Sequence, residues 1–419
     1  MTVHGGSSTP GGARVIIGLL ETAGVAAGLA DGFAQLGWTS TVALTHEHPF
    51  GYAQPFERYK RLTRVIRYLS SELPGPLIRV GRVASLPFRV LLFIVACSRN
   101  DVFVFISRSR FVSYRERGLL KLLGKQVVEV FLGSDIRPPY MDGNLMRPSY
   151  GVTDDGCRAL LADTQNALSV MEQHADLILA MPTYAQLLSK RTLDLLAIGL
   201  PLRSEVATTP IEPLPSSASD EAETTRRVPV VLHSPSSPEV KGTDLVRAAV
   251  AELVDAGLVL DYRELSGVPN KEIMAALGDC DLVIDQCYSD TPMAMFATEA
   301  AKLGRPVIVG GYGWAELERL CFHGFMPPTI TCDPGDLAEV IRRYVSEPEQ
   351  RAAVGVALAS YVERLEPRLV AERLLLALRG DAPAEWFFDP REVTYVDGCG
   401  LSRERAAHLR ADVLGVDAR

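Results

Sequence analysis

Short apolar runs alternate with segments of helical periodicity along the first half of the chain. Residues 13–20 (ARVIIGLL) form the first run, residues 25–36 carry apolar side chains at helical spacing, and residues 38–45 form a second run. This strand-helix-strand order predicts a β-α-β unit. Further apolar runs typical of strands lie at 101–106, 125–131, 176–180 and 193–201. The alternation predicts a parallel, doubly wound sheet.

The same alternation restarts after a stretch rich in Ser, Thr, Pro and acidic residues at 203–227. Predicted strands follow at 230–232, 258–265, 282–285 and 307–309. Predicted helices lie near 243–256, 270–278, 292–303, 314–320, 335–346 and 348–379, and a last one near 402–414. The chain is therefore expected to hold two α/β domains of the same architecture.

The predicted organisation has five parts. Residues 1–12 are expected to be disordered, 13–202 to form the first domain, 203–227 a linker and 228–380 the second domain. Residues 381–419 are a tail whose helix we expect to pack back on the first domain. Two α/β domains in one chain enclose a cleft in which a ligand can be held.

Composition indicates the class of protein, its partners and its cellular compartment. The 419 residues are 47% hydrophobic and 22% charged, as in ordinary globular proteins, and the net charge of −8 does not favour nucleic acid as a partner. The seven cysteines form no C-x-x-C pair, which fits reduced thiols in the cytoplasm. The polar, glycine-rich N-terminus has no signal-peptide pattern. The apolar run at 83–97 is shorter than the ~18 residues of a membrane span and indicates a buried or interfacial helix.

A basic amphipathic helix is predicted at 56–70. Its apolar residues share one side, while Lys60, Arg64 and Arg67 share another. Three interpretations stay open: a solvated helix face, a surface that meets anionic lipid, and a polyanion-binding surface. The second would place the cytoplasmic protein at the inner face of a membrane.

Candidate ligand-binding residues follow the first predicted strand of the second domain. His233, Ser234 and Ser236 precede Lys241-Gly242-Thr243, which opens a helix. Backbone N–H groups at a helix start, hydroxyl groups and one ammonium group suit a diphosphate. A lysine near a helix start is also often only solvated.

A second candidate group lies around the strand at 282–285. That strand ends in Asp285 and Gln286, and the helix after it carries Glu299 among apolar residues. A carboxylate there needs a partner. The two hydroxyls of a ribose suit it, and an ion pair with Arg305 is the alternative.

Four motifs in order resemble the GT-B glycosyltransferases, most closely the retaining group called glycosyltransferase family 4 or group 1. The second half carries HSPSS…KGTDLV, LSGVPNKEI…DCDLVIDQ and ATEAAKLGRPVI, and the first half carries LLGKQVVEVFLGSDIR with HADLILAMP. The resemblance covers residues 14–378. It implies two Rossmann-like domains that face a central cleft.

The resemblance also implies roles in binding the donor. Lys241 would bind the donor diphosphate, with Gly242 and Thr243 starting the helix below it, and Glu299 would hold the ribose. The remaining donor-side positions are Ser236, Gly267 and Val268, which lie in loops beside the nucleotide, and Gly24, which lets the first loop approach the ligand.

On the acceptor side the resemblance points to the loop at 133–137, with Asp135 and Arg137 as its polar groups. The pattern departs from the family in two places. Thr291 stands where the first glutamate of an E-x7-E motif is expected, so Asp290 is the candidate substitute, and His233-Ser234 replace a Gly-Arg pair. Asp135, Arg137 and Asp290 are therefore the catalytic candidates.

The implied reaction moves a sugar from a nucleoside diphosphate sugar to an acceptor hydroxyl, with retention of configuration. No D-x-D motif precedes a sheet edge and no cluster of residues has metal-ligand spacing, so neither a metal nor a cofactor is expected. His46 and His48 are candidate general bases or ordinary surface histidines. A non-catalytic sugar-nucleotide-binding protein and a nucleotide-sugar epimerase are the alternatives. A nicotinamide-dependent oxidoreductase is disfavoured because G-x-G-x-x-G is missing after either first strand.

Overall fold

A computed structural model describes residues 12–46, 57–75, 77–202 and 227–415. Nearly all of the predicted N-terminal segment at 1–12 and of the linker at 203–227 lies outside the described residues, as do residue 56 of the basic segment and His48.

The strands and helices alternate as the sequence predicts. The strands are β1 (Arg14–Leu19), β2 (Thr39–Leu44), β3 (Val102–Ile106), β4 (Gln126–Val130), β5 (Leu177–Ala180), β6 (Thr192–Asp194), β7 (Val230–His233), β8 (Asp261–Glu264), β9 (Leu282–Ser289), β10 (Val307–Gly311), β11 (Ile330–Cys332) and β12 (Phe387–Phe388). The helices are α1 (Val25–Gln35), α2 (Lys60–Arg67), α3 (Leu77–Ala84), α4 (Leu86–Arg99), α5 (Glu116–Leu122), α6 (Asp154–His174), α7 (Leu195–Ile198), α8 (Pro238–Lys241), α9 (Thr243–Asp255), α10 (Asn270–Asp279), α11 (Met295–Lys302), α12 (Trp314–Leu320), α13 (Leu337–Ser346), α14 (Pro348–Glu363), α15 (Pro367–Arg379) and α16 (Arg403–Leu414). Shorter helical turns connect several of them.

The strands form two separate sheets, as predicted. The first has the order β2-β1-β3-β4-β5-β6, all parallel, with β12 added antiparallel beside β6. The second has the order β8-β7-β9-β10-β11, all parallel. In each sheet the strand order reverses beside the first strand, and ligands bind outside the carboxyl ends of strands at such a point. The predicted pair of doubly wound α/β domains is confirmed.

Helix α15 belongs to the packing of the first domain. We predicted residues 228–380 as the second domain, whereas Val370, Ala371 and Leu374 lie in the hydrophobic core around β1 and α1. Gly32 of α1 explains the close fit, because a Cβ there would meet the carbonyl oxygen of Pro367 at 2.0 Å. The chain thus crosses back to the first domain between α14 and α15.

The tail after α15 also packs on the first domain. Strand β12 pairs with β6, and α16 packs against α6 through a small apolar cluster that includes Cys157, Leu401 and Leu409. Burial of this apolar surface, not local propensity, holds a tail helix in place.

Candidate functional site

The polar residues of interest lie where the parallel strands of the two sheets end. In the second domain the loop after β7 carries Ser236 and leads to Lys241, and the loop after β8 carries Gly267 and Val268. The two loops are joined, because the Ser266 hydroxyl donates to the carbonyl of Pro235 at 3.1 Å and the Ser234 hydroxyl to that of Leu265 at 3.0 Å. The predicted donor-side residues of this domain therefore share one edge of the sheet.

Lys241 is paired with a buried carboxylate. Its Nζ donates to Asp285 Oδ1 at 2.9 Å, and Asp285 is fully buried within β9, which continues to Ser289 instead of ending at Asp285 as predicted. Asp285 Oδ2 is buried too, and among the described residues it has no hydrogen-bond partner. Because a buried unpaired carboxylate is costly, the Lys241 ammonium group stabilises the charge of Asp285.

Gly242 allows the close approach of Lys241 to β9. It has a φ of +71°, a left-handed conformation, and it precedes α9. A Cβ at this position would lie 2.8 Å from the Cβ of Cys287. Glycine therefore permits both the turn and the contact.

Thr243 forms a hydrogen bond inside the second domain. It is fully buried, and its hydroxyl lies 3.0 Å from His233 Nε2, while His233 Nδ1 lies 2.8 Å from the carbonyl oxygen of Ile284. That carbonyl can only accept, so Nδ1 carries the proton and Nε2 accepts from Thr243. Burial lowers the pKa of His233, which keeps the ring neutral. Thr243 therefore supports the start of α9 instead of facing a ligand.

Glu299 lies on α11 near Asp285. Burial raises the pKa of Glu299 to about 7, the hydrogen bond from the Asn270 side chain opposes this, and the negative charge of Asp285 adds to it. The alternative partner, Arg305, instead donates to the carbonyl oxygens of Leu277, at 3.0 Å, and Gly278. Glu299 is thus a weakly ionised carboxyl group at the same edge as Lys241.

The raised pKa of Glu299 predicts a pH-dependent stability. The unfolded chain ionises this carboxyl group near its ordinary pKa of 4.5, whereas the folded chain holds the proton until about pH 7. Folding stability is therefore lost as pH rises between these values, by about 3 kcal/mol in total. Glu299→Gln removes this loss. We expect urea denaturation to show the variant more stable than the native protein at pH 8, with a much smaller difference at pH 5.

Two comparisons make this test specific. Burial also raises the pKa of Asp194, to about 6, but that group is common to both proteins and cancels in the difference. Glu272→Gln, at an exposed position on α10, is the matched control and should leave the pH profile unchanged. An equal stability difference at both pH values would contradict the assignment of the raised pKa to Glu299.

Arg137 and Asp290 join the two domains. Arg137 Nε and Nη2 donate to the two carboxylate oxygens of Asp290 at 2.7 and 2.9 Å, and Nη1 donates to Asp142 at 2.9 Å. Asp290 is fully buried and Arg137 is 6% exposed. Both residues were predicted to face substrate, yet their polar atoms are taken up by each other. In this arrangement they form a buried ion pair between domains, not a free catalytic pair.

The loop at 132–137 is built around this ion pair. Asp135 accepts from the backbone N–H groups of Leu132 and Gly133, so its carboxylate caps its own loop, and burial raises its pKa. Gly133 has a φ of +127°, and a Cβ there would lie 2.9 Å from Arg137 Nη2. The structure therefore shows Asp135 as a turn-stabilising residue, and its catalytic role stays a prediction.

Gly24 lies in the first domain, in the loop between β1 and α1. It has a φ of +82° and precedes α1. Glu21, which is buried, accepts from the backbone N–H groups of Ala26 and Ala27 at 3.1 and 3.3 Å. A carboxylate of the chain thus already occupies the first turn of α1, and none of the contacts of Gly24 connects it with Lys241 or Glu299.

The tail contacts both domains beside the ion pair, which the sequence did not reveal. The N–H of Gly400 donates to the carbonyl oxygen of Tyr288 in the second domain at 2.7 Å, while the carbonyl oxygen of Cys399 accepts from Gly143 of the first domain at 2.8 Å. Glu316 of α12 accepts from the N–H of Tyr395 at 3.1 Å. In the sequence, the two glycines that flank Cys399, Gly398 and Gly400, were the available signal for a close backbone approach by the tail.

No group of three or more potential metal ligands (His, Cys, Asp or Glu) occurs within the described ranges of the chain. That the reaction needs no metal remains a prediction. His46 lies within 3.1 Å of the Thr45 hydroxyl, and burial lowers its pKa, with nearby Arg89 adding to the effect.

Comparisons with known proteins give structural similarity only. No protein-family model matches the chain, and no curated protein matches its sequence. Solved structures of similar fold include HepE of Anabaena in complex with UDP and glucose, at 13% identity and a TM-score of 0.47, over 88% of this chain and 99% of that one. The lipopolysaccharide outer core galactosyltransferase WaaB, in its apo form, aligns at 11% identity with a TM-score of 0.46, over 88% and 99%. A UDP-N-acetylglucosamine 2-epimerase described as putative, from Listeria monocytogenes, aligns at 12% identity with a TM-score of 0.40, over 88% and 96%. Similarity at this level does not identify the reaction or the ligand.

Proposed function

We propose that the protein is a glycosyltransferase of the GT-B type that moves a sugar from a nucleoside diphosphate sugar to an acceptor hydroxyl. The observation that carries the proposal is the grouping of Lys241, Asp285 and Glu299 at the carboxyl edge of the second sheet, beside the start of α9. A single cation next to helix-start N–H groups suits a diphosphate, and a nearby carboxyl group suits a ribose.

In this proposal the second domain binds the donor nucleotide. Lys241 and the backbone N–H groups of the first turn of α9 stabilise the negative charge of the leaving diphosphate, which is the largest contribution such a site makes to the rate. Glu299 accepts from the ribose hydroxyls once it is ionised. Donor affinity should therefore rise as pH increases through about 7, because the raised pKa of Glu299 leaves it protonated below that pH.

The first domain supplies the acceptor side, through the loop at 132–137. The Arg137–Asp290 ion pair closes the cleft over the reacting groups, so the pair positions the domains and excludes water. Transfer with retention, and membership of glycosyltransferase family 4, are the finer parts of the proposal and follow from the motif resemblance alone.

Thermal denaturation with nucleotides tests donor binding directly. A ligand at one hundred times its Kd stabilises the folded state by about 2.7 kcal/mol. We expect UDP or GDP and the corresponding nucleotide sugars to raise Tm, while uridine and guanosine, which lack the diphosphate, do not. If no nucleoside diphosphate or nucleotide sugar shifts Tm, the donor site does not exist.

Product analysis separates the proposal from its two alternatives. A transferase releases nucleoside diphosphate with an acceptor present, a nucleotide-sugar epimerase converts the donor without one, and a non-catalytic binding protein leaves the donor unchanged. The absence of a glutamate at Thr291 is the sequence feature that favours the non-catalytic alternative.

A further inference from the structure

Helices α3 and α4 bury one side and leave large apolar residues exposed on the other. Gly81, Ser85, Leu92 and Ala96 face the first domain and are buried. On the opposite side, seven large apolar residues are between 41% and 66% exposed: Leu77, Val80, Val83, Leu86, Val90, Leu91 and Ile94. These seven residues, the outer face of α3–α4, follow helical spacing. A helix that presents its apolar side to water is an unfavourable arrangement unless something covers that side.

The stretch Leu77–Arg99 is long and apolar enough to cross a membrane by length and composition, with a mean hydropathy of 1.8. The buried side, however, packs against the first domain. Leu92 and Ala96 join a hydrophobic cluster with Phe103 and Phe105, and Gly81 lies against Leu69. Arg89 also anchors it, because Nη2 donates to the Ser70 hydroxyl at 3.0 Å and Nη1 to the carbonyl oxygen of Phe111 at 3.3 Å. A helix fixed to its domain in this way lies along a surface instead of passing through a bilayer.

Positive charge surrounds the outer face. Helix α2 packs against α4. Exposed cationic side chains occur on this helix, just before it and on α3: Arg58, Lys60, Arg61, Arg64, Arg79 and Arg82. Within the described residues 57–99, the acidic residues are Glu57, which accepts from the Thr63 hydroxyl at 3.0 Å, and Glu72. In a chain of net charge −8, this local excess of cations complements an anionic surface.

We propose that the outer face of α3–α4, with the cations of α2 and α3, docks the protein on the surface of a bilayer that contains anionic lipid. The apolar side chains enter the headgroup–acyl boundary while the arginines and lysine meet lipid phosphates. The helices lie in the plane of the membrane, and the first domain rests on them.

The outer face of α3–α4 extends toward the carboxyl side of the first sheet. Helix α4 ends just before β3 begins, so its chain direction brings α3 to the carboxyl side of the first sheet. The two helices together are roughly 35 Å long, whereas β3 is roughly 17 Å, so α3 extends past that edge. If the proposed function holds, the acceptor hydroxyl therefore belongs to a membrane-borne molecule. This last step rests on the proposed function, and the docking itself does not.

Vesicle co-sedimentation of the full chain tests the docking. We expect binding to vesicles of phosphatidylcholine mixed with phosphatidylglycerol, little binding to phosphatidylcholine alone, and weaker binding as salt rises. Val80→Ser, Val83→Ser, Leu91→Ser and Ile94→Ser combined should reduce binding about tenfold or more, and so should Lys60→Glu, Arg61→Glu and Arg64→Glu combined. All seven positions are exposed, so both variants are expected to fold.

A control removes apolar side chains that are at least as exposed elsewhere on the protein: Leu122→Ser, Val259→Ser and Val356→Ser. This variant should bind vesicles as the native protein does. Unchanged binding by the α3–α4 or α2 variant, or equal binding to neutral and anionic vesicles, overturns the proposal. A dimer that the α3–α4 variant abolishes, without any vesicle binding, would show that a second copy covers the face. Loss of vesicle binding with nucleotide-induced stabilisation intact would leave the proposed function standing.

Discussion

Arg137→Ala is expected to lower the free energy of unfolding by about 3–5 kcal/mol, because it leaves a buried carboxylate without its counter-charge. Asp290 is fully buried and both its oxygens accept from Arg137. Asp142 is less affected, since the N–H groups of Asn144 and Leu145 also donate to it. Urea denaturation measures the loss, and small-angle scattering should show the two domains further apart.

Two variants give this prediction its controls. Arg158→Ala breaks an exposed ion pair with Asp155, and should cost under about 1 kcal/mol. Arg137→Met with Asp290→Asn removes both charges of the interdomain pair, and we expect it to be more stable than Arg137→Ala alone. If Arg137→Ala costs no more than Arg158→Ala, the ion pair does not hold the domains together.

Removal of the Lys241 charge is expected to weaken nucleoside diphosphate binding about 10–100-fold, which is the contribution of a charge-assisted hydrogen bond. Lys241→Ala alone would also strand Asp285, which is fully buried, and so would mix lost affinity with lost stability. The informative variant is Lys241→Met with Asp285→Asn, which neutralises both partners. Calorimetric titration with UDP and GDP measures the affinity.

The single change Asp285→Asn is the matched control. It retains the lysine but frees its ammonium group from Asp285 Oδ1, at 2.9 Å in the native protein. A bound diphosphate would then lie beside the Lys241 ammonium group without repulsion from the Asp285 carboxylate, so we expect tighter binding than in the native protein. Equal affinity of the double variant and the native protein would exclude Lys241 as the phosphate ligand.

The periodicity of the chain was enough to predict the two sheets and most helices. Buried strands such as β1 and β3 contain continuous apolar runs, and in the helices between the strands the apolar residues recur at helical spacing. The start of α9 at Thr243 was also visible, because Gly242 marks the turn, but the short helix α8 that ends at Lys241 was not predicted. These features depend on residues close together in the sequence.

Contacts between distant residues could not be predicted in this way. Arg137 and Asp290 are 153 positions apart, and nothing local in either segment indicates that they meet. The packing of α15 on α1 depends on a fit around Gly32 that appears only when both helices are in place. Likewise, the apolar run at 83–97 predicted a buried or interfacial helix, but only the structure shows which residues of the run, such as Leu92 and Ala96, are buried.

The return of the last helices to the first domain affects how the chain can fold during synthesis. The core around β1 needs Val370 and Leu374, and the edge strand β6 needs Phe388. Domains usually fold in order as they leave the ribosome. Here the first domain is incomplete until nearly the whole chain has emerged, so the second domain can reach its native state first. A polypeptide that stops after residue 366 would contain every strand of the parallel sheets and still lack part of its first hydrophobic core.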